Sequence, residues 1–120
     1  MTPAVSRLLL VEDSSLIADA LRILLEQHGY AVTVADSLAA ARTAIRLQTP
    51  DFVLLDVSLP DGDGLDLARE LTQSGTPRII ALTGHADEAT RQRCIDAGCR
   101  DVLVKPVPSS ELVRRLRQVG

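Results

Sequence analysis

The sequence predicts one α/β domain whose doubly wound, five-stranded parallel sheet has the order 2-1-3-4-5, with helices on both faces. Three observations predict this fold. Short apolar segments alternate with segments of helical period, and short turns join them. The 120 residues, 46% of them hydrophobic, suffice for one core and not for two. Right-handed crossovers between parallel strands favour this strand order. We therefore expect a single domain over residues 1–120.

Five apolar or alternating segments predict the strands. In chain order they are residues 7–11, 31–35, 52–55, 78–82 and 101–104. The first and third are continuously apolar, which is typical of strands that a parallel sheet buries on both faces. The second alternates, which is typical of a half-buried strand.

A segment bounded by helix-capping or helix-ending residues follows each predicted strand. The first predicted helix ends at His28-Gly29, and the second begins after Ser37 and ends at Thr49-Pro50. The third begins at Gly64 and ends within residues 74–77. The fourth covers about residues 87–97 and ends before Gly98. Inward-facing apolar residues define the second, third and fifth helices: Leu38, Ala41, Ala44 and Ile45; Leu65, Leu67, Ala68 and Leu71; Leu112, Val113 and Leu116. The sequence shows no linker and no internal repeat.

The charge of the chain argues against nucleic-acid binding by this domain. The formal net charge is -3 at pH 7, whereas binding to nucleic acid needs a clustered basic face. Three arginines gather near the C-terminus, at positions 114, 115 and 117. On a terminal helix such a group is typical of a solvated face that complements the helix dipole.

The apolar segments are too short to cross a membrane. The longest, residues 8–11 and 52–55, are far below the length that a bilayer requires, and no basic leader opens the chain. We expect a cytoplasmic protein with no membrane partner. Cys94 and Cys99 lack CxxC spacing and companion histidines, so we expect two buried or half-buried thiols without a metal or redox role.

Chemically active side chains follow four of the five predicted strands. Glu12 and Asp13 follow the first strand, Asp56 closes the third, Thr83 follows the fourth and Lys105 follows the fifth. In a doubly wound sheet the ligand site lies beyond the carboxyl ends of the strands, at the switch point between strands 1 and 3. We therefore expect three carboxylates, a hydroxyl and an ammonium group to converge at one edge of the sheet.

Three carboxylates in one small region require a cation. Two like charges about 4 Å apart repel by about 4 kcal/mol at an effective dielectric constant of about 20, so the three cannot all stay ionised alone. Mg²⁺ prefers oxygen ligands and is usually held by one or two carboxylates, waters and a phosphate, which suits so sparse a site. The residues therefore predict a Mg²⁺ site.

Phosphoryl transfer gives the remaining groups a common purpose. Catalysis of this reaction consists mostly of positioning and of neutralising the charge on the phosphoryl oxygens. Thr83 can donate a hydrogen bond to them and Lys105 can supply a positive charge. Asp56 is the best-placed nucleophile, because carboxylates can form covalent intermediates and this one ends the central strand. Each residue taken singly has a commoner structural explanation, such as a helix cap or a turn, so the hypothesis depends on all of them together.

Four segments give the chain a resemblance to the response-regulator receiver domains of bacterial two-component signalling, which are flavodoxin-like. They are "LLLVEDSS" with its acid pair, "LLDVSLPDGDG" with an acceptor aspartate, "IIALTGHA" with a threonine and "DVLVKPVP" with lysine before proline. Each is weak by itself, but four in this order are specific, and the resemblance extends from Leu8 to about Leu116. It implies a phosphoacceptor switch that assists its own phosphorylation and hydrolysis and has no external turnover substrate.

The resemblance also implies roles and partners for the residues at the sheet edge. Glu12, Asp13, Asp56 and the backbone carbonyl of Ser58 would hold Mg²⁺. Asp56 would accept phosphate from a phosphohistidine on a histidine kinase or a histidine phosphotransfer protein. The output would pass to a downstream effector domain or protein.

A conformational switch is the further implication of the resemblance. Thr83 and Lys105 would bind the phosphoryl oxygens, the Lys105-Pro106 bond would be cis, and phosphorylation would repack the face of the fourth helix, fifth strand and fifth helix. The chain departs from the family pattern at Val102, where Tyr or Phe is usual, and at Val107, where Phe is common. We expect the phosphate chemistry to survive both changes and an aromatic-rotamer mechanism not to apply.

Two residues are candidates for tuning the phosphate lifetime. Ser58 and His85 each lie two residues beyond a predicted site residue. These positions tune the lifetime in the family that the chain resembles. A solvent-exposed loop histidine is an equally good interpretation of His85.

Two alternatives remain from other functional classes. A phosphohydrolase of the haloacid dehalogenase type also places a nucleophilic aspartate after a strand, but it needs a second aspartate where this chain has Ser58, and the chain has no spare length for a substrate cap. An interaction-only, receiver-like module would have lost its chemistry, whereas the set of predicted site residues is intact.

Two further functions fit the residues less well. "LPDGDGLDLARE" resembles a calcium loop, but Leu59 occupies its first ligand position and the segment is better explained as a turn followed by an amphipathic helix. A flavin-binding domain would share the sheet order, but an acidic pocket would repel the cofactor phosphate.

Overall fold

The computed structural model describes residues 5–73 and 77–119, which contain five α-helices and seven β-strands. The strands are β1 Ser6–Val11, β2 Tyr30–Ala35, β3 Phe52–Asp56, β4 Ser58–Leu59, β5 Gly62–Asp63, β6 Arg78–Thr83 and β7 Asp101–Val104. The helices are α1 Ser15–Gln27, α2 Leu38–Leu47, α3 Gly64–Thr72, α4 Glu88–Asp96 and α5 Ser109–Val119. Residues 74–76, within the predicted end of the third helix, lie outside the described residues.

The main sheet is parallel and five-stranded, with the order β2-β1-β3-β6-β7. This confirms the predicted order 2-1-3-4-5, because β6 and β7 are the fourth and fifth predicted strands. The two additional strands, β4 and β5, pair antiparallel in a small hairpin directly after β3. The sequence did not predict this hairpin, since strands of two residues are too short to show an alternating pattern.

The helices cover the sheet in two layers. Alternate residues of each strand face opposite sides, so the strands contribute to two cores. One core joins Leu8, Leu10 and Leu54 to residues of α1 and α5. The other joins Val53 and Leu55 to residues of α2, α3 and α4. All five residues of β3 are buried, which explains the continuously apolar sequence that precedes Asp56.

The register aligns the carboxyl ends of the strands at one edge. Val11 of β1 pairs with Leu55 of β3, and Asp56 pairs with Leu82 of β6. Thr83 in turn pairs with Val104 of β7. Residues that directly follow these pairs therefore emerge side by side.

Local signals place the helices where the sequence predicted them. Ser14 caps α1 by accepting the N–H of Ile17, so Asp13 is not needed as the cap. Gly29 and Gly98 follow α1 and α4 with φ of 91° and 102°, the left-handed conformation that glycine adopts most easily.

The aromatic residues lie at the opposite edge of the sheet, where the strands begin. The rings of Tyr30 and Phe52 meet edge to face with centroids 5.8 Å apart, and the Arg78 guanidinium lies 5.3 Å from the Phe52 centroid. The Tyr30 and Phe52 rings are therefore separated from the acidic edge by the length of the strands.

Within residues 5–73 and 77–119, every helix is too short or too polar to reach across a lipid bilayer.

Candidate functional site

The site lies where β1, β3 and β7 end. Glu12 follows β1 directly, and its backbone N–H donates to Ala35 of the neighbouring strand at 3.0 Å. Its side chain is 1% exposed, and that of Asp56 at the end of β3 is almost as deeply buried. Asp13 is exposed. The sheet thus sets two buried carboxylates beside one that faces solvent.

Lys105 joins the two buried carboxylates. Its Nζ lies 2.7 Å from Asp56 Oδ2 and 3.3 Å from Glu12 Oε1. Burial alone would lower the pKa of Lys105, but the hydrogen bond to Asp56 and the charges of Asp56 and Glu12 raise it above its ordinary value. The lysine is therefore held as a cation at this edge.

One ammonium group does not balance three carboxylates. One oxygen each of Glu12, Asp13 and Asp56 can be chosen so that all three lie within 4.8 Å of one another. Burial is the largest cause that raises the pKa of Glu12, to about 7, and contact with Asp56 adds to it against the opposing effect of Lys105. A carboxylate is therefore hard to keep ionised here without a further positive charge.

The β4–β5 hairpin contacts Asp56 through its first residue, Ser58. The Ser58 N–H donates to Asp56 Oδ1 at 3.0 Å, so both oxygens of this carboxylate have partners. A Cβ at Gly64 would lie 2.5 Å from the backbone oxygen of Asp56, which explains glycine at the start of α3. Ser58 itself is exposed, and its backbone N–H is the group that connects it to the site.

Thr83 lies one residue beyond Leu82, the strand partner of Asp56. Its side chain is buried, and its Oγ1 accepts the backbone N–H of His85 at 3.1 Å. Its backbone oxygen accepts the N–H of Lys105 at 2.7 Å. His85 is exposed. A backbone hydrogen bond therefore joins Thr83, which carries the hydroxyl, to Lys105, which carries the ammonium group.

Valines occupy both positions that depart from the family pattern, and each valine packs in or against an apolar core. Val102 is buried in the core beneath α4, with Ala81, Cys94 and Ala97 in the same cluster. Val107 packs against the opposite core. The peptide bond between Lys105 and Pro106 is cis.

Sequence reasoning missed two connections of the hairpin. Asp61 accepts the backbone N–H groups of Leu38 and Ala39 at the start of α2. Asp63 caps α3 through Leu65 and forms a 2.8 Å ion pair with Arg93 of α4. The Pro-Asp-Gly turn signals a polar tip, and an aspartate before Gly64 signals a cap, but no local signal identifies Leu38 or Arg93 as partners.

The donor set fits a hard divalent cation. Carboxylate oxygens and a backbone carbonyl are the ligands that Mg²⁺ takes, and Glu12, Asp13 and Asp56 provide three carboxylates in one group. Sulfur and imidazole ligands, which softer metals prefer, are not part of this group. Cys94 and Cys99 are free and buried elsewhere, and burial raises the pKa of the Cys99 thiol to about 12.

A family model described as response regulator receiver domain matches residues 8–117. The KDP operon transcriptional regulatory protein KdpE of Escherichia coli is 37% identical over 112 residues, which are 93% of this chain and 50% of that protein. The chain thus spans about half the length of most of the curated relatives that it matches.

Solved structures of the same kind superpose on nearly the whole chain. A putative response regulator from Chloroflexus aurantiacus has a TM-score of 0.90 and 33% identity, with 97% of this chain and 98% of that chain covered. The BeF3-activated N-terminal receiver domain of Klebsiella pneumoniae RstA has a TM-score of 0.88 and 29% identity, with 94% and 97% covered.

Proposed function

The chain belongs to the family of response regulator receiver domains, and on that premise we propose that it is a phosphoacceptor switch in which Asp56 takes up a phosphoryl group in a Mg²⁺-dependent reaction. The proposed domain covers residues 1–120. The proposed compartment is the cytoplasm, and the two free thiols, Cys94 and Cys99, are in keeping with a reducing environment.

One observation carries the proposal: Lys105 Nζ contacts Asp56 at 2.7 Å beside the buried Glu12. A nucleophilic carboxylate must approach a phosphoryl group whose oxygens are negative, so their mutual repulsion has to be offset. An ammonium group that already lies beside the nucleophile provides this positive charge before the phosphoryl group arrives.

Glu12, Asp13 and Asp56 would hold the ion, together with the backbone carbonyl of Ser58. When bound, Mg²⁺ supplies positive charge to the three carboxylates and to the phosphoryl oxygens. Asp13 is the most exposed of the three, so it would bind the ion on the side that faces solvent. The two buried carboxylates would bind it from the protein side.

The reaction has two halves. In the first, an oxygen of Asp56 forms a bond to phosphorus while the P–N bond of a donor phosphohistidine breaks and the imidazole nitrogen leaves with the electron pair. In the second, a water oxygen attacks the phosphorus and the Asp56 carboxylate leaves, which regenerates the site and releases inorganic phosphate. Thr83 would donate a hydrogen bond to a phosphoryl oxygen, and Lys105 would pair with another.

The proposed partners follow from this chemistry. The donor is a histidine kinase or a histidine phosphotransfer protein, and the output goes to an effector domain or protein. Phosphorylation would alter the α4, β7 and α5 face as a population shift. Because Val102 is an aliphatic residue in the core beneath α4, this shift would act through packing rather than through rotation of an aromatic ring.

Ser58 and His85 are proposed to tune the lifetime of the phosphate. The N–H of Ser58 binds Asp56 and that of His85 binds Thr83, so both residues are held next to the reacting groups. The lifetime in His85→Ala, followed as loss of the phosphorylated mass, tests the histidine. An unchanged lifetime removes His85 from the proposal.

Intact-mass analysis after incubation with acetyl phosphate and Mg²⁺ tests the central proposal. The parent protein should gain the mass of one phosphoryl group, and Asp56→Asn should gain none. Asp36→Asn is the control, because Asp36 is an exposed carboxylate that follows β2 at the same edge of the sheet. It should gain the phosphoryl group as the parent does.

Two results would contradict the proposal. Equal labelling of Asp56→Asn would move the acceptor to another residue. No labelling of the parent with acetyl phosphate, together with no Mg²⁺ binding by calorimetry, would favour an interaction-only module.

A further inference from the structure

The tip of the β4–β5 hairpin is attached to a helix that is distant in sequence. Asp61 lies in the turn between Leu59 and Gly62, which pair with each other. Its two carboxylate oxygens accept the backbone N–H groups of Leu38 at 2.9 Å and Ala39 at 3.2 Å. These are the first two residues of α2. The hairpin is therefore bound to the helix by its outermost residue.

The start of α2 has two separate caps. Ser37, the residue before the helix, accepts the N–H of Ala40 with its side chain. Asp61 accepts the N–H groups of Leu38 and Ala39, so the two caps satisfy different donors. The hydrogen bond from the N–H of Leu38, and to a smaller extent that from Ala39, lowers the pKa of Asp61 below its ordinary value. This carboxylate therefore stays charged at the positive end of the helix. The hairpin is joined to α2 through Asp61 and not through Ser37.

Packing supports the same attachment. Leu38 is buried, and a Cβ at Gly62 would lie 3.0 Å from its Cδ1. Gly62 also has φ of 147°, a conformation that other residues rarely adopt. The turn is thus closely packed on α2 as well as hydrogen-bonded to it.

A short path leads from Asp61 to the phosphoacceptor. Ser58 pairs with Asp63 across the hairpin, and Leu59 pairs with Gly62. The N–H of Ser58 then donates to Asp56 Oδ1 at 3.0 Å. Because the hairpin has only these two residue pairs, a displaced tip would disturb the pairing and with it the Ser58 N–H.

We propose that Asp61 is a positioning residue for the phosphoacceptor site: by binding the N-terminus of α2, it holds the β4–β5 hairpin so that Ser58 stays in place against Asp56 and beside the carboxylates that would take Mg²⁺. This inference rests on the proposed function. It assigns to Asp61 an effect on the site that is separate from its effect on helix stability.

Asp61→Ala and Ser37→Ala form a matched pair of variants. Each removes a cap from the same helix, so each should lower the melting temperature. Only Asp61→Ala also releases the hairpin. Calorimetric titration of the unphosphorylated proteins with Mg²⁺ should give a dissociation constant about tenfold higher in Asp61→Ala, in the range found when supporting groups around a metal site are removed. Ser37→Ala should bind as the parent does.

Hydrogen exchange at the Ser58 amide gives a second measurement that does not depend on metal or phosphate. This N–H is protected in the parent by its bond to Asp56 and should exchange faster in Asp61→Ala but not in Ser37→Ala. Asp61→Asn keeps one acceptor oxygen for the N–H of Leu38 and should fall between the parent and Asp61→Ala. This milder variant also serves if Asp61→Ala does not fold.

The outcomes separate the two proposals. Equal effects of Asp61→Ala and Ser37→Ala on Mg²⁺ affinity and Ser58 exchange, or no effect of either, would overturn the role of Asp61 even when the parent takes up phosphate on Asp56. A parent protein that neither binds Mg²⁺ nor accepts phosphate would overturn the proposed function, and the role of Asp61 with it.

Discussion

Arg93 of α4 and Asp63, the residue that caps α3, are joined by an ion pair with 2.8 Å between Nη2 and Oδ2. Asp63 also pairs with Ser58 across the hairpin next to the phosphoacceptor. The fourth helix is otherwise weakly held: Cys94 is its one buried residue among Glu88–Asp96. The ion pair therefore connects a loosely packed helix to the loop that carries the proposed chemistry.

Arg93→Ala should loosen α4 without unfolding the domain. The pair is largely exposed, so its loss should cost at most about 1 kcal/mol of the free energy of unfolding. Amide hydrogen exchange within α4 should nevertheless become faster, because few apolar contacts remain to hold the helix. Arg91→Ala, at an exposed position of the same helix, is the control and should leave exchange unchanged. Equal exchange rates in the two variants would show that the ion pair does not restrain α4.

Lys105→Ala should make the stability of the protein depend on Mg²⁺. Removal of the ammonium group leaves Glu12 and Asp56 buried without their cation, which should cost about 3 kcal/mol in metal-free buffer. Added Mg²⁺ should restore most of the melting temperature. Arg115→Ala is the control, because this arginine is exposed to the same degree and pairs with Asp101 and Glu111 away from the site. If Mg²⁺ raised the melting temperatures of both variants equally, the result would contradict the conclusion that Lys105 neutralises the carboxylates of the site.

Glu12→Gln should flatten the pH dependence of stability in metal-free buffer. The pKa of Glu12 rises in the folded protein from 4.5 to about 7, so the folded state favours the protonated form. The corresponding stability is fully present below about pH 4.5 and is lost as the pH rises towards about 7. The melting temperature of the parent should therefore fall more between about pH 5 and about pH 8 than that of Glu12→Gln.

The control for this titration is Glu26→Gln, which changes an exposed glutamate on α1. It should keep the pH dependence of the parent. A Glu12→Gln profile parallel to that of the parent would show that Glu12 does not titrate in this range.

Gly98→Ala should destabilise the protein more than Gly29→Ala. Both glycines have positive φ, so each substitution should cost about 1 kcal/mol in backbone strain. At Gly98 an added Cβ would also overlap the side chain of Thr72, whereas nothing lies within 4 Å at Gly29. We expect a loss of at least about 2 kcal/mol at Gly98, measured by urea denaturation. Equal losses would mean that Thr72 moves aside freely.

The parts of the fold that depend on local pattern could be predicted from the sequence. The apolar run before Asp56 is the buried strand β3, and Gly64 does begin α3. The convergence of Glu12, Asp13, Asp56 and Lys105 could also be anticipated, because parallel strands bring the residues that follow them to one edge. The chemical roles of these residues remain predictions.

Contacts between distant segments could not be predicted in the same way. Asp61 binds residues 22 and 23 positions earlier in the chain, and Arg93 lies 30 positions from Asp63. Several acidic residues lie in the "DGDG" segment and after it, and by sequence any of them could bind the start of α2 or Arg93. Which of them does so depends on how the helices pack. Periodicity fixes which face of a helix is buried, but it does not identify which charged residues meet at its ends.

The position of Tyr30, in its edge-to-face pair with Phe52, determines what the intrinsic fluorescence of the protein can report. Tyr30 is the one tyrosine, and the chain has no tryptophan. Because this ring sits where the strands begin, its ultraviolet emission should report unfolding of the amino-terminal edge and be insensitive to an ion or phosphate at the other end. A fluorophore introduced beside Asp13 would give titrations the optical signal that the native chromophores do not supply.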